Sequence, residues 1–194
     1  MSIIKETATG YITLKEDDIL LTSRKVFLTD VVDPATSSRL IKQLMALNEA
    51  DPDKGITFFI NSPGGDVLAG LAVFDYIKTM TAPVKTVCLG TCYSMGAILF
   101  LSGSSREVYK HSRIMIHDPS YSTNDIGGKK PHEIQSQVDK LIETRDILAR
   151  IIADATGKPF DDIVKVTSED SYFNAKEALE FGLATAIIDN NKEV

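Results

Sequence analysis

An α/β architecture is expected for this chain, because strand-like and helix-like segments alternate along nearly its whole length. Two strand-to-helix junctions punctuate that alternation with small residues: "NSPGGD" at residues 61–66 and "GTCYSMGA" at residues 90–97. With 194 residues, 43% hydrophobic and 25% charged, the chain has the size and composition of one folded domain with a substantial core.

The first clear strand is "KVFLTDVV" (residues 25–32). Asp33 then offers an N-cap with Pro34 at the first helical position, and Leu40, Ile41, Leu44 and Met45 form a helical stripe. "GITFFI" (55–60) is a short buried strand of apolar and β-branched residues, and Val67, Leu71, Phe74 and Ile77 mark the helix after the glycine pair. "VKTVCLG" (84–90) is a further strand, followed by the apolar helix "SMGAILFLSG". Two short strands come next, the second being "RIMIH" (113–117), and then a polar loop, "DPSYSTNDIGGKK", without an apolar period. A long helix is expected from about His132 to Thr156, on the stripe Ile134, Val138, Leu141, Leu148 and Ile152. At 1.5 Å per residue it would be about 37 Å long, more than a domain of this size covers. Such a helix is either solvated on its charged faces or an arm that packs on another subunit. The chain closes with a short strand near residues 171–173, a helix opened by Asn174 with Glu177 three residues on, and a last strand, "ATAII".

Composition also excludes function classes. A net charge of −6 argues against nucleic acid or an anionic membrane as the main partner. The longest apolar run, residues 95–101, is far too short to span a bilayer, and "MSIIKETATG" lacks the basic and apolar regions of a signal peptide. A cytoplasmic location is therefore expected. Cys88 and Cys92 have no metal-like spacing and form no disulfide framework, so a buried apolar role is expected for both.

The two junctions carry the chemistry. A Gly-Gly pair between a strand and a helix permits positive φ and close backbone approach, and its N–H groups suit a phosphate or a transient oxyanion. A phosphate would call for a glycine fingerprint or a P-loop lysine, and the sequence has neither. Ser94 opens the apolar helix of the second junction, where a serine serves either as an N-cap or as a nucleophile beside the N–H of Met95. A nucleophilic serine needs a base. Of three histidines, His111 reads as a turn residue and His132 as a solvated helix start, while His117 ends a strand on the face of Arg113 and Met115. Asp118 adjoins it but points to the opposite face of an extended segment; Asp170, in "TSEDSYF", precedes a late strand. The residues alone do not select the carboxylate.

Together these segments resemble the proteolytic subunit of the caseinolytic Clp protease, the ClpP family, from about Lys25 to Ile188. The resemblance runs through "FFINSPGGDVLAGLAVFDYI", "GTCYSMGAILFLSG", "SRIMIHDPS" and "SEDSYFNAKEALEFGL". It implies Ser94 as nucleophile, His117 as base, Asp170 as the residue that orients the base, and Gly65 and Met95 as oxyanion donors. It implies the ClpP/crotonase fold of repeated ββα units, one domain over 1–194, with an axial segment at 1–20 and a handle at 118–157. The activity it implies is a serine endopeptidase degrading unfolded proteins and peptides, with ATP used by a partner unfoldase and no cofactor or metal in this subunit. The implied partners are copies of the chain in two face-to-face rings of seven, and unfoldase rings of the AAA+ class.

Departures from the family pattern are also legible. Cys92 and Tyr93 replace small residues before the serine, which implies an altered primary pocket. "YSTNDIGGKK" replaces a glycine-rich handle stretch, Glu169 stands where arginine is common, and the family's N-terminal pattern is missing from "GYITLKEDDILLTSR". They point to a divergent second paralogue that assembles with a partner subunit. Two rival expectations are a ring subunit that mainly scaffolds an active paralogue, and a crotonase-type enzyme acting on acyl-CoA.

Overall fold

The computed structural model describes residues 2–7, 10–121 and 128–189. Its first elements are not anticipated by the sequence pattern. Strands β1 (Ser2–Thr7) and β2 (Gly10–Lys15) pair antiparallel as a two-stranded sheet of their own, and α1 (Glu16–Thr22) follows. Three acids in the first turn of α1, Glu16, Asp17 and Asp18, complement the positive end of its dipole.

The main sheet has the order β3 (Lys25–Leu28), β4 (Ile56–Ser62), β5 (Val84–Tyr93), β6 (Ser105–Tyr109), β9 (Ala186–Ile188), all parallel. A second branch leaves β5: β7 (Arg113–Ile116) pairs with it in parallel, and β8 (Ser171–Asn174) pairs with β7 antiparallel. The fork arises because β5 is ten residues long. Its first half, Lys85 to Cys88, pairs with β6, and its last three residues, Thr91 to Tyr93, pair with β7. Between the halves lies a bulge, where Ile60 faces Cys88 but Ser62 faces Cys92. Asn61 stabilises the bulge, its side-chain oxygen accepting from the Thr91 N–H at 2.9 Å.

The helices connect these strands: α2 (Pro34–Ala50), α3 (Val67–Thr79), α4 (Met95–Phe100), α5 (Pro131–Thr156), α6 (Phe160–Thr167) and α7 (Ala175–Phe181). The expected caps are present. Asp33 accepts from the Thr36 N–H at 2.7 Å, with Pro34 in the first turn, and Asn174 and Glu177 form a reciprocal capping box. Three expectations need correction. The first strand stops at Leu28 rather than Val32, because the Asp30 carboxylate accepts from the Val31 N–H and turns the chain, leaving Val32 in a single bridge to Gly65. The strand expected over 84–90 runs on to Tyr93. Finally α6, which the sequence reading leaves unassigned, follows Pro159 with Asp161 and Asp162 in its first turn.

Phe58, Phe100, Leu40, Leu44, Ile60 and Leu99 are among the fully buried side chains between sheet and helices. Truncating either phenylalanine to alanine would cost about 3–5 kcal/mol. Arg106, half-buried, donates to Ala155 O, Gly182 O and Leu183 O at 2.8–3.1 Å, and so ties the C-terminal ends of α5 and α7 to β6. That tie brings the last third of α5 onto the core, where Leu148, Ala149 and Ile152 are buried. The rest of α5 is mostly exposed: Val138, Ile142 and Ile147 are 42%, 41% and 49% exposed. Among the described residues, no helix is long and apolar enough to cross a membrane. The fold is thus an α/β arrangement with a mainly parallel sheet and a long protruding helix, as the ClpP resemblance implies.

Candidate active site

Ser94 stands between β5 and α4 with φ 52° and ψ −121°, a positive-φ conformation that few non-glycine residues adopt. The conformation has a geometric purpose. Tyr93 pairs with Met115 and so shares the face of Arg113, Met115 and His117. Continued as a strand, β5 would send the next side chain to the other face. The positive-φ turn brings it back, and Ser94 Oγ lies 2.8 Å from His117 Nε2. The Ser94 side chain makes no capping hydrogen bond to α4, so its oxygen is not the N-cap that the sequence also allowed. Its own N–H donates to Met115 O at 2.8 Å, which fixes the turn to the strand carrying the histidine.

The glycine pair makes room for this turn. A Cβ on Gly64 would lie 2.7 Å from Ser94 Cβ, 2.7 Å from Tyr93 O and 3.0 Å from Met95 N, and Gly64 has φ +95°. Gly65, with φ +149°, is pressed against the Val32 carbonyl, where a Cβ has no space. The Val32 bridge uses Gly64 O and the Asp66 N–H, at 2.9 and 2.7 Å. The Met95 N–H is the first of α4, which an α-helix leaves without an internal partner. Gly64, which the sequence reading passed over, is thus the glycine packed against Ser94, while Gly65 packs against Val31 and Val32.

Asp170 Oδ1 lies 3.4 Å from His117 Nδ1. The strand register explains the encounter: Ile116 pairs with Ser171 across β7 and β8, so the next rung joins His117 to Asp170. The side chains are 26% and 60% exposed respectively. Asp118 is held elsewhere. Its N–H donates to Thr167 O at 2.7 Å, and its Oδ1 is buried without a partner among the described residues. His111 and His132 are exposed and lie outside this cluster.

Beside Ser94 and His117 is a small apolar cavity of about 20 Å³, walled by Val67, Met95, Ile98, Ile116, Leu148 and Ile152. It admits little more than one water. These wall residues come from four separate elements, and sequence reading gave no signal for them beyond their helical or strand stripes. Cys92 lies beneath the site, fully buried, its thiol donating weakly to Ile60 O. Burial pushes the Cys92 thiol well above its ordinary pKa, while interaction with the Cys92 side chain lowers that of Cys88. A buried, protonated Cys92 is a packing residue, not a competing nucleophile. Among the described residues, no group of three or more His, Cys, Asp or Glu is placed to hold a metal ion.

Taken together, the site holds a serine in a strained turn, an imidazole within hydrogen-bond reach, a carboxylate behind it, and the free N–H at the start of α4. That constellation can perform acyl transfer. Comparison with known proteins gives a consistent result. A family model described as Clp protease matches residues 11–191. The chain is 43% identical over 177 residues to "ATP-dependent Clp protease proteolytic subunit 1" of Protochlamydia amoebophila (strain UWE25), covering 90% of this chain and 85% of that one. It is 39% identical over 181 residues to the chloroplastic proteolytic subunit 3 of Arabidopsis thaliana, covering 92% of this chain and 57% of the relative. With proteolytic subunit 2 of Parasynechococcus marenigrum (strain WH8102) the identity is 36% over 191 residues, 96% and 94% of the two chains.

Proposed function

The chain belongs to the Clp protease family, and from that premise we propose that it is itself a serine endopeptidase subunit cleaving unfolded polypeptides through an acyl-Ser94 intermediate. The observation that carries the reading is the 2.8 Å contact between Ser94 Oγ and His117 Nε2, made possible by a positive-φ serine. His117 takes the proton of Ser94 Oγ as that oxygen attacks the peptide carbonyl. The developing oxyanion is held by the N–H groups of Gly65 and Met95. As the tetrahedral species collapses, His117 gives the proton to the leaving amine, and water then repeats the sequence on the ester. Asp170 accepts from His117 Nδ1–H and keeps Nε2 free to receive the proton. The apolar cavity beside Ser94 favours an apolar side chain on the acyl part of the substrate, after some opening of α5 against α3.

Assembly is part of the same proposal. The exposed stripe Val138, Ile142 and Ile147 on α5 is apolar surface that a second subunit would cover, as in stacked rings of seven. The proposal includes a cytoplasmic site of action, an AAA+ unfoldase that spends ATP and feeds the chamber, residues 1–20 as an axial segment, and residues 118–157 as the handle. Residues 122–127 of that handle lie outside the described residues. A second reading is favoured by one specific feature: Asp170 is largely exposed and its contact to His117 is long, as in a subunit whose site is completed by assembly with an active paralogue. Peptide hydrolysis by the isolated protein separates the two. Turnover by the protein alone supports the peptidase, whereas silence alone and activity only on mixing with a paralogous subunit supports the scaffold.

A further inference from the structure

Asp170 is the most loosely held member of the site. It precedes β8, a strand of four residues that pairs with β7, and its 3.4 Å contact to His117 is longer than the roughly 2.7–2.9 Å of a tight charge-assisted hydrogen bond. Two bonds fix the chain leading to it: the Asp118 N–H to Thr167 O and Ser171 Oγ to Val166 O, both 2.7 Å. Neither reaches β5, the strand that leads into Ser94. The contact that does is aromatic. The rings of Tyr93 and Tyr172 meet edge to face, with centroids 5.7 Å apart and planes at 89°.

Register places this contact directly beside the chemistry. Tyr93 pairs with Met115 and Met115 pairs with Tyr172, so the three form one row on one face of β5, β7 and β8. The next same-face row is His117 and Asp170, two residues further along, or about 7 Å. Tyr172 is 57% exposed, so burial alone contributes little to holding it, and its ring contact is what it adds to the edge of the sheet. Asp170 immediately precedes β8 on the face of Tyr172, so a tilt of β8 away from β5 moves both.

We propose that the Tyr93–Tyr172 pair, closed over Met115, is a positioning device that locks β8 against β5 and thereby keeps Asp170 within reach of His117. The proposal rests on the triad reading above. It also explains why a large residue is tolerated just before the nucleophile: the Tyr93 ring meets Tyr172 and does not line the small cavity. The two tyrosines are not catalytic residues; they act through the carboxylate.

The test uses the full chain in its assembled form, with the rate of Ser94 labelling by a fluorophosphonate and kcat and KM for a peptide as readouts. An edge-to-face pair has the strength to change a rate by roughly threefold to tenfold. Tyr172→Ala and Tyr93→Ala are each expected to lower labelling and kcat by that factor with KM unchanged, the double variant no more than either single one. Tyr172→Phe, which keeps the ring, restores the rate and shows that the strand still folds. In an Asp170→Asn background Tyr172→Ala costs nothing further, an outcome that general loosening of the fold would not give. Wild-type rates in Tyr172→Ala, the same loss in the Asp170→Asn background, or failure of phenylalanine to rescue would each overturn the device alone. A wild-type protein whose Ser94 is not labelled would overturn the triad reading and the device with it.

Discussion

Replacing Gly64 by alanine tests the backbone geometry around Ser94 more sharply than any change to the reacting side chains. The new Cβ would lie 2.7 Å from Ser94 Cβ and from Tyr93 O, whereas ordinary contacts begin near 3.4 Å, so Ser94 and Gly64 must part by about 0.7 Å. Both neighbours belong to main chain or to a short rigid side chain, so neither yields cheaply. Gly64 also has φ +95°, a conformation that costs an L-residue about 1–3 kcal/mol. A misplacement approaching 1 Å at a reacting atom lowers a rate by about 10²-fold. Gly64→Ala is therefore expected to slow acylation of Ser94 by about 10–10²-fold and to lower unfolding free energy by about 2–4 kcal/mol. Gly157→Ala is the control: φ is +70°, but nothing lies within 4 Å of the added carbon. It should lose about 1 kcal/mol and leave the acylation rate unchanged. The assay is the second-order rate of fluorophosphonate labelling, beside urea unfolding of both variants. Equal acylation rates in Gly64→Ala and Gly157→Ala would refute the argument that Gly64 makes room for the nucleophile.

Asp170→Asn should leave the fold intact and lower turnover by about 10⁴-fold, since an amide can hold the imidazole in the wrong tautomer, while Asp118→Asn should cost little. The reverse pattern in peptide kinetics would displace Asp170 from its role. Thiol alkylation should inhibit only weakly in the native protein and proceed readily in denaturant, because Cys92 is buried and its pKa is raised; rapid native alkylation with parallel loss of activity would contradict that. Glu169 is exposed with no ion pair among the described residues, and it reverses the charge of the arginine that the ClpP resemblance leads one to expect at this position, a change proposed to disfavour ring pairing. Wild type is expected to form single or weakly active double rings, and Glu169→Arg to shift native mass toward double rings with a gain in peptidase activity. A stable, fully active double ring from wild type alone would end that line of reasoning.

Much of this architecture is legible in the sequence, because strand and helix periods are local. The helix caps at Asp33 and Asn174, and the long α5, lie where residue pattern puts them. The junction at Ser94 and the strand end at His117 could also be read locally, each from a few adjacent residues. The pairing of His117 with Asp170 could not. It follows from the antiparallel register of β7 and β8, two strands more than fifty residues apart, and only the family resemblance singled out Asp170 beforehand. The different packing of Gly64 and Gly65 was hidden for a related reason: it depends on Ser94 and Val32, each some thirty residues away in the chain. The β1–β2 hairpin and α6 were missed because their segments are short and carry weak periods, and the tyrosine row became visible only once three strands were in register.

The central claim is that Ser94 is an activated nucleophile in this chain. Its most direct test is fluorophosphonate labelling of the intact protein followed by peptide mapping, with Ser94→Ala alongside. The account predicts one adduct on Ser94, with labelling and peptide hydrolysis both abolished in Ser94→Ala. An adduct elsewhere, or peptide hydrolysis that survives in Ser94→Ala, would contradict it.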